Sequence, residues 1–228
     1  MRLRNKIQLA LFLLLLGAAS VTGINGFADS ASGTRISREA QQAVATGREL
    51  ETSRQWIDAI EHYEAAVKQW PESESLKLGL RRSKFQFAIA RRYSDSSFRD
   101  SMLNLSEAEA LRIYDELSHI IQRRYVESIG PTSTVAHGTE SLWLALANPR
   151  FLQTNVPNAD PIRVKALQRF LRENYWNRPI RSQAEARQVI MEIAGVAQSR
   201  LGLRPSCVIM EYVFGSCNAL DDYSAYLT

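Results

Sequence analysis

The chain has little of what a catalytic or metal centre needs: three histidines and two cysteines among 228 residues. His62, His119 and His137 lie far apart. None belongs to an HExxH pair or has a cysteine at ligand spacing, so the common zinc patterns are excluded. The 11 glycines are scattered, and no glycine-rich loop is there to cradle a phosphate. A GxSxG nucleophile elbow is missing too, because Gly215-Ser216-Cys217 lacks the second glycine. The neighbouring carboxylates Asp221 and Asp222 read as a polar turn binding backbone amides rather than as an acid–base pair. The residues therefore supply no catalytic, cofactor-binding or metal-ligating set.

An excess of one charge is also lacking once the first residues are set aside. The formal charge of +4 and the pI near 9.2 suggest nucleic-acid binding. Arg2, Arg4 and Lys6 account for most of it, and no acid precedes Asp29. Beyond residue 28 there are 25 basic side chains against 24 acidic ones. A near-neutral body has no electrostatic footprint for a polyphosphate, so no nucleic-acid partner is expected. The clusters Arg81/Arg82/Lys84, Arg91/Arg92 and Arg123/Arg124 read as solvated helix faces, with Phe85 and Phe87 on a buried one.

What is present begins with a three-part leader. A basic stretch (Met1 to Lys6) precedes an apolar core (Leu9 to Leu16) and then the small residues Gly17, Ala18, Ala19 and Ser20. That order is the signature of a secretory signal. The apolar run from residue 7 to 23 is about 17 residues long, at the lower edge of a bilayer span. Residues 1–28 are thus either a cleaved signal peptide or a membrane anchor, and both place the chain outside the cytoplasm, in the periplasm or cell envelope. No cysteine follows the leader to carry a lipid. In an exported chain a disulfide is permitted. Cys207 and Cys217, however, lie about 15 Å apart along a continuous helix, too far to bridge. They read as small buried hydrophobes unless the helix ends between them.

The rest of the chain is patterned for helices, with no alternating run of useful length. Ser30 to Ile36 reads as a flexible linker. Helices are expected over residues 37–51, 53–70 and 74–93, the second stopped by Pro71. The polar stretch SDSSFRDSM (94–102) reads as a boundary. Ser106 and Glu109 form a capping box opening a helix to about Val126, with Leu111, Tyr114, Leu117, Ile121 and Tyr125 on one face. Further helices are expected over 134–146, from Asp160-Pro161 to Tyr175, from the Ser182/Glu185 capping box to Ser199, and over 206–215. The fold class is all-α, in two parts, 37–93 and 103–228.

Two resemblances attach to these parts. Gly47, Ala59, Tyr63, Ala66 and Pro71, with Trp56, fall at the spacing of a tetratricopeptide repeat, with a generic helical hairpin as the alternative. The segment EYVFGSCNALDDYSAYLT (211–228) resembles the LDxxSxYL signature region of the C-terminal processing peptidases, or tail-specific proteases. Leu220, Asp221, Ser224, Tyr226 and Leu227 match it, whereas Asp222 stands where proline is common. The stretch from Glu109 to Ile129, with Tyr125 and Val126, and the helix carrying Gly138, Leu142 and Leu146 resemble the family's preceding elements. The resemblance implies an N-terminal helical region with a role in assembly or positioning. The family's Ser nucleophile, Lys general base and PDZ domain all lie beyond the signature, so its catalytic residues map onto nothing here. Leu220 and Tyr226, which would pack on that core, are then expected to be exposed. The alternative is a stand-alone envelope adaptor whose helices bind a protein partner or a second copy.

Overall fold

The computed structural model describes residues 30–124, 129–176 and 178–220; the leader, Tyr125, Val126 and residues 221–228 of the signature lie outside them. The described residues form ten helices and no strand. None of these helices is long and apolar enough to cross a membrane. The chain divides into two compact units between Ala88 and Ile89, a point inside the third helix.

The first unit holds α1 (Ser30–Thr52), α2 (Trp56–Gln69) and the greater part of α3 (Glu74–Ser94). The stretch expected as a linker is instead the first turns of α1. It contains no proline, and a nucleated helix propagates through Ser and Gly at modest cost. At its other end α1 closes with a Schellman pattern. The Gln55 N–H donates to the Leu50 carbonyl and the Arg54 N–H to that of Glu51, with Arg54 left-handed at φ 58°. That turn uses Ser53 to Gln55, so α2 starts at Trp56. Tyr63 is the centre of this unit. It is fully buried, and its ring lies so close to Gly47 on α1 and Gly79 on α3 that a Cβ at either position would overlap it. Ala43, Ala59, Ala66 and Leu76 complete the core.

The second unit begins at Ile89 and includes the polar stretch 94–102, which folds as the short helix α4 (Ser96–Ser101). Asp95 caps α4 by accepting from the Ser97 N–H at 2.8 Å, and Phe98 is buried. The Ser106/Glu109 box opens α5 (Glu107–Arg124) reciprocally. The Glu109 N–H donates to Ser106 Oγ, and the Ser106 N–H donates to Glu109 Oε2. Leu111, Tyr114, Leu117 and Ile121 form its buried face. Next come α6 (Pro131–Ala145), α7 (Pro149–Asn155), α8 (Pro161–Asn174), α9 (Gln183–Leu201) and α10 (Pro205–Asn218). Asn148, Asp160 and Ser182 cap α7, α8 and α9, and Gly202 ends α9 at φ 73°.

Helix α10 is the axis of this unit and packs against α6, α5 and α9. Every residue from Ser206 to Cys217 is buried, as expected for a helix that is apolar on all sides. Gly215 does not end it. A Cβ there would run into the backbone of His137 and Gly138, so the glycine serves a close crossing with α6. Tyr212 covers Gly138 in turn and exchanges a 2.9 Å hydrogen bond with Thr139. Cys207 and Cys217 are free and buried on this one helix. Leu220, expected to be exposed, is half-buried, because α10 runs three residues beyond Gly215. The N–H groups of Ala219 and Leu220 then bond back to Ser216 and Cys217.

Candidate functional site: a buried carboxylate on α10

Residues 205–219 contain a single charged side chain, Glu211. It sits mid-helix with no exposure at all. A carboxylate taken out of water must be matched by donors and opposite charge, or its burial costs several kcal/mol, on the order of a small protein's whole stability. The second unit meets this demand from two other helices. The Tyr93 hydroxyl, near the end of α3, donates to Glu211 Oε1 at 2.8 Å, and Ser141 on α6 donates to Oε2 at 2.8 Å. Arg92 Nη2 donates to both oxygens, at 3.4 and 3.2 Å.

Aromatic rings wall the group in. The Arg92 guanidinium lies 3.7 Å from the centroid of the Phe214 ring, a cation–π contact one turn along from the carboxylate. Tyr93 meets Phe98 and Phe151 edge-on at 5.2 and 5.0 Å. One turn before Glu211, Cys207 Sγ lies 3.7 Å from the Tyr93 hydroxyl. Burial, reinforced by the charge of Glu211, pushes the Cys207 thiol up to about 12. Burial likewise raises Tyr93 well above the ordinary phenol range, with neighbouring Cys207 and Glu211 adding to it. Cys217 is driven to about 12 mainly by desolvation. These shifts run the wrong way for a nucleophile, which needs a depressed pKa. The arrangement keeps a proton on the thiol and phenol beside the Glu211 carboxylate, which makes it a polar clamp between helices.

The first unit repeats the device. Arg82 on α3 grips Glu51 at the end of α1 through Nε and Nη2, at 2.5 and 2.6 Å, and the Tyr63 hydroxyl donates to the same carboxylate at 2.8 Å. Arg82 and Arg92 are therefore not the solvated face residues expected from sequence; each completes an ion pair. Lys84 pairs with Glu64 at 3.1 Å, and Arg81 lies over Phe85. A cleft of about 690 Å³ opens beside α1, lined by Ala40, Val44, Ala45, Arg48, Trp70 and Glu72 among others. Ser73 and Ser75 also line it beside Glu72, but no hydrogen bond among the described residues couples either hydroxyl to that carboxylate.

The residues weighed from sequence do not converge. His62 Nε2 donates to the Ala43 carbonyl at 2.7 Å, His137 is 3.7 Å from Glu140, and His119 is exposed on α5. Ser216 Oγ donates to the Tyr212 carbonyl. Asp221, Asp222, Ser224, Tyr226 and Leu227 are outside the described residues. No group of three or more potential metal ligands occurs among the described residues. Sequence reasoning missed Glu211 although its signal was present: one acid inside the apolar run PSCVIMEYVFGSC. Comparison of the chain with protein-family models, curated proteins and solved structures finds no match in any of the three.

Proposed function

We propose that the chain is the N-terminal helical part of an exported C-terminal processing serine peptidase and holds no catalytic site of its own. Its role on this reading is to mount the LDDYSAYL signature, Leu220 to Leu227, and whatever follows it. The observation that carries the reading is the burial of α10 from Ser206 to Cys217. A helix gripped on all sides, locked at Glu211 and crossed closely at Gly215, holds Leu220, the first residue of the signature, against the second unit. A signature that must meet a catalytic core in one register would gain from such a mount. The leader adds the compartment: residues 1–28 act as signal peptide or anchor, and the protein works in the periplasm or cell envelope.

Reading the gene beyond the Thr228 codon, together with an immunoblot of the native product, tests this. An in-frame PDZ-like segment with a Ser/Lys core, and a product well above 25.8 kDa, are expected. A native product of no more than that mass, with no such reading frame downstream, overturns the reading.

A second reading, a stand-alone envelope adaptor with a tetratricopeptide-like module, is favoured by one observation. Tyr63 packs on Gly47 and Gly79 across three helices and leaves the α1 cleft open. A repeat-like unit of this size leaves part of its apolar stripe for a neighbour. Under this reading the native product stays near 25.8 kDa and migrates in a larger, partner-containing complex.

A further inference from the structure

The near-neutral charge of the body hides an uneven distribution. Residues 160–181 carry six basic side chains and two acidic ones, whereas the remainder beyond residue 28 has 19 basic against 22 acidic. Three of those six cations stand on one surface of α8. Its inner residues Val164, Leu167 and Leu171 are buried, and the helix packs on α6 and α9. On the outside, Ile162, Lys165, Arg169 and Arg172 follow at i, i+3, i+7 and i+10. At 3.6 residues per turn these four fall within about 80° of the helix circumference, and the exposed Glu173 borders them about 20° beyond Ile162, leaving three cations against one acid on this face. All are exposed, Ile162 to 76% of its surface, which is the largest exposure of any large hydrophobic residue described. None of the three cations forms an ion pair among the described residues, unlike Arg178, which is engaged with Glu192 at 3.7 Å.

We propose that the outer face of α8 docks on an anionic lipid bilayer. An aliphatic side chain standing free beside a row of cations matches the depth profile of a membrane surface. Ile162 reaches below the headgroups, while the long stems of Lys165, Arg169 and Arg172 keep their charges at the phosphates. A nucleic-acid backbone has the charge but no place for Ile162. An acidic protein would need a pocket shaped for it. An unpartnered helix face needs only a plane, and a leader such as the apolar run at residues 7–23, as signal or anchor, would deliver the chain to a membrane.

The test uses the full chain with an environment-sensitive fluorophore on Ala166→Cys, an exposed α8 position beside this row; Cys207 and Cys217 are buried and stay unlabelled. Vesicles of equimolar phosphatidylglycerol and phosphatidylcholine should shift the emission to the blue, and phosphatidylcholine alone should not. Each cation near an anionic surface is worth about fivefold in partitioning, so K165Q/R169Q/R172Q should weaken the response about 100-fold. Shortening the Debye length to about 3 Å with 1 M NaCl should do the same. Ile162→Ser should reduce the blue shift without changing its salt dependence. An absent shift, or an equal one with phosphatidylcholine alone, overturns the proposal. So does a shift produced by poly-glutamate or duplex DNA in place of vesicles, which would reassign the face to an acidic protein or a nucleic acid. The readout is local to α8 and independent of the peptidase reading.

Discussion

Replacing Glu211 by Met tests whether the carboxylate is the clamp that its surroundings imply. The substitution keeps side-chain length and helix propensity but removes the charge. It strands Arg92, only 15% exposed, and leaves the Tyr93 and Ser141 hydroxyls without their acceptor. Removing one partner of a buried pair costs about 3–5 kcal/mol. The orphaned hydroxyls, at about 1–3 kcal/mol each taken alone, overlap with that figure and are not added to it. Arg92→Met is the converse: a buried carboxylate held by two hydroxyls alone, at a cost of about 3 kcal/mol. In the double variant both charges are gone and only the hydroxyls remain unsatisfied. It should cost less than the sum of the singles, with a coupling energy of about 3 kcal/mol. Urea unfolding followed by circular dichroism, with fluorescence of the edge-to-face pair Trp143 and Trp176 isolated by Trp56→Phe and Trp70→Phe, measures all four corners of the cycle. The reasoning fails if Glu211→Met costs under about 1 kcal/mol, or if the two substitutions are additive.

Other predictions concern the same packing. Gly215→Ala pushes a methyl into the α6 backbone and should cost about 1–3 kcal/mol, whereas Gly195→Ala on the exposed side of α9 meets nothing and should gain about 0.5–1 kcal/mol; thermal melting separates the two. Arg54→Gly should stabilise by about 1 kcal/mol, because the α1 terminus holds residue 54 at φ 58°. At pH 8 neither thiol should react with a disulfide reagent until the chain unfolds, because burial holds both pKa values near 12. The same shifts set the alkaline limit. Groups whose folded pKa lies above the unfolded value stabilise fully below the unfolded pKa. Unfolding free energies from urea titrations should therefore hold steady up to about pH 8.5 and then fall as pH climbs towards 12, by up to about 1.4 kcal/mol per pH unit for each group. A flat profile to pH 11 would contradict the burial of Cys207 and Tyr93.

Much of the helical plan was legible because its punctuation is local. Ser106 with Glu109, Asp160 and Ser182 each satisfy amides at the helix start they mark, a chemistry complete within four residues. Proline was harder to read. Pro131, Pro149 and Pro205 look like stops, yet each occupies the first position of a helix, where its missing N–H costs nothing. That is why α7 was not foreseen. The glycines of the close crossings and the partners of Glu211 escape sequence reading for a different reason. Their meaning is set by residues 70 to 119 positions away, as between Ser141 or Arg92 and Glu211. Length and periodicity say that α10 is a helix; only tertiary contact says which helices supply donors to its one acid.

Helix α3 lends an arginine to each unit, Arg82 to Glu51 and Arg92 to Glu211. Anyone trimming the chain at the polar stretch 94–102, where composition invites the cut, would discard Arg92 and Tyr93 along with it. What remained would carry a buried carboxylate without its arginine and tyrosine donors at the heart of its longest-buried helix. A shortened version that keeps its shape has to begin no later than Ile89, midway along a helix that looks from the outside like a poor place to start.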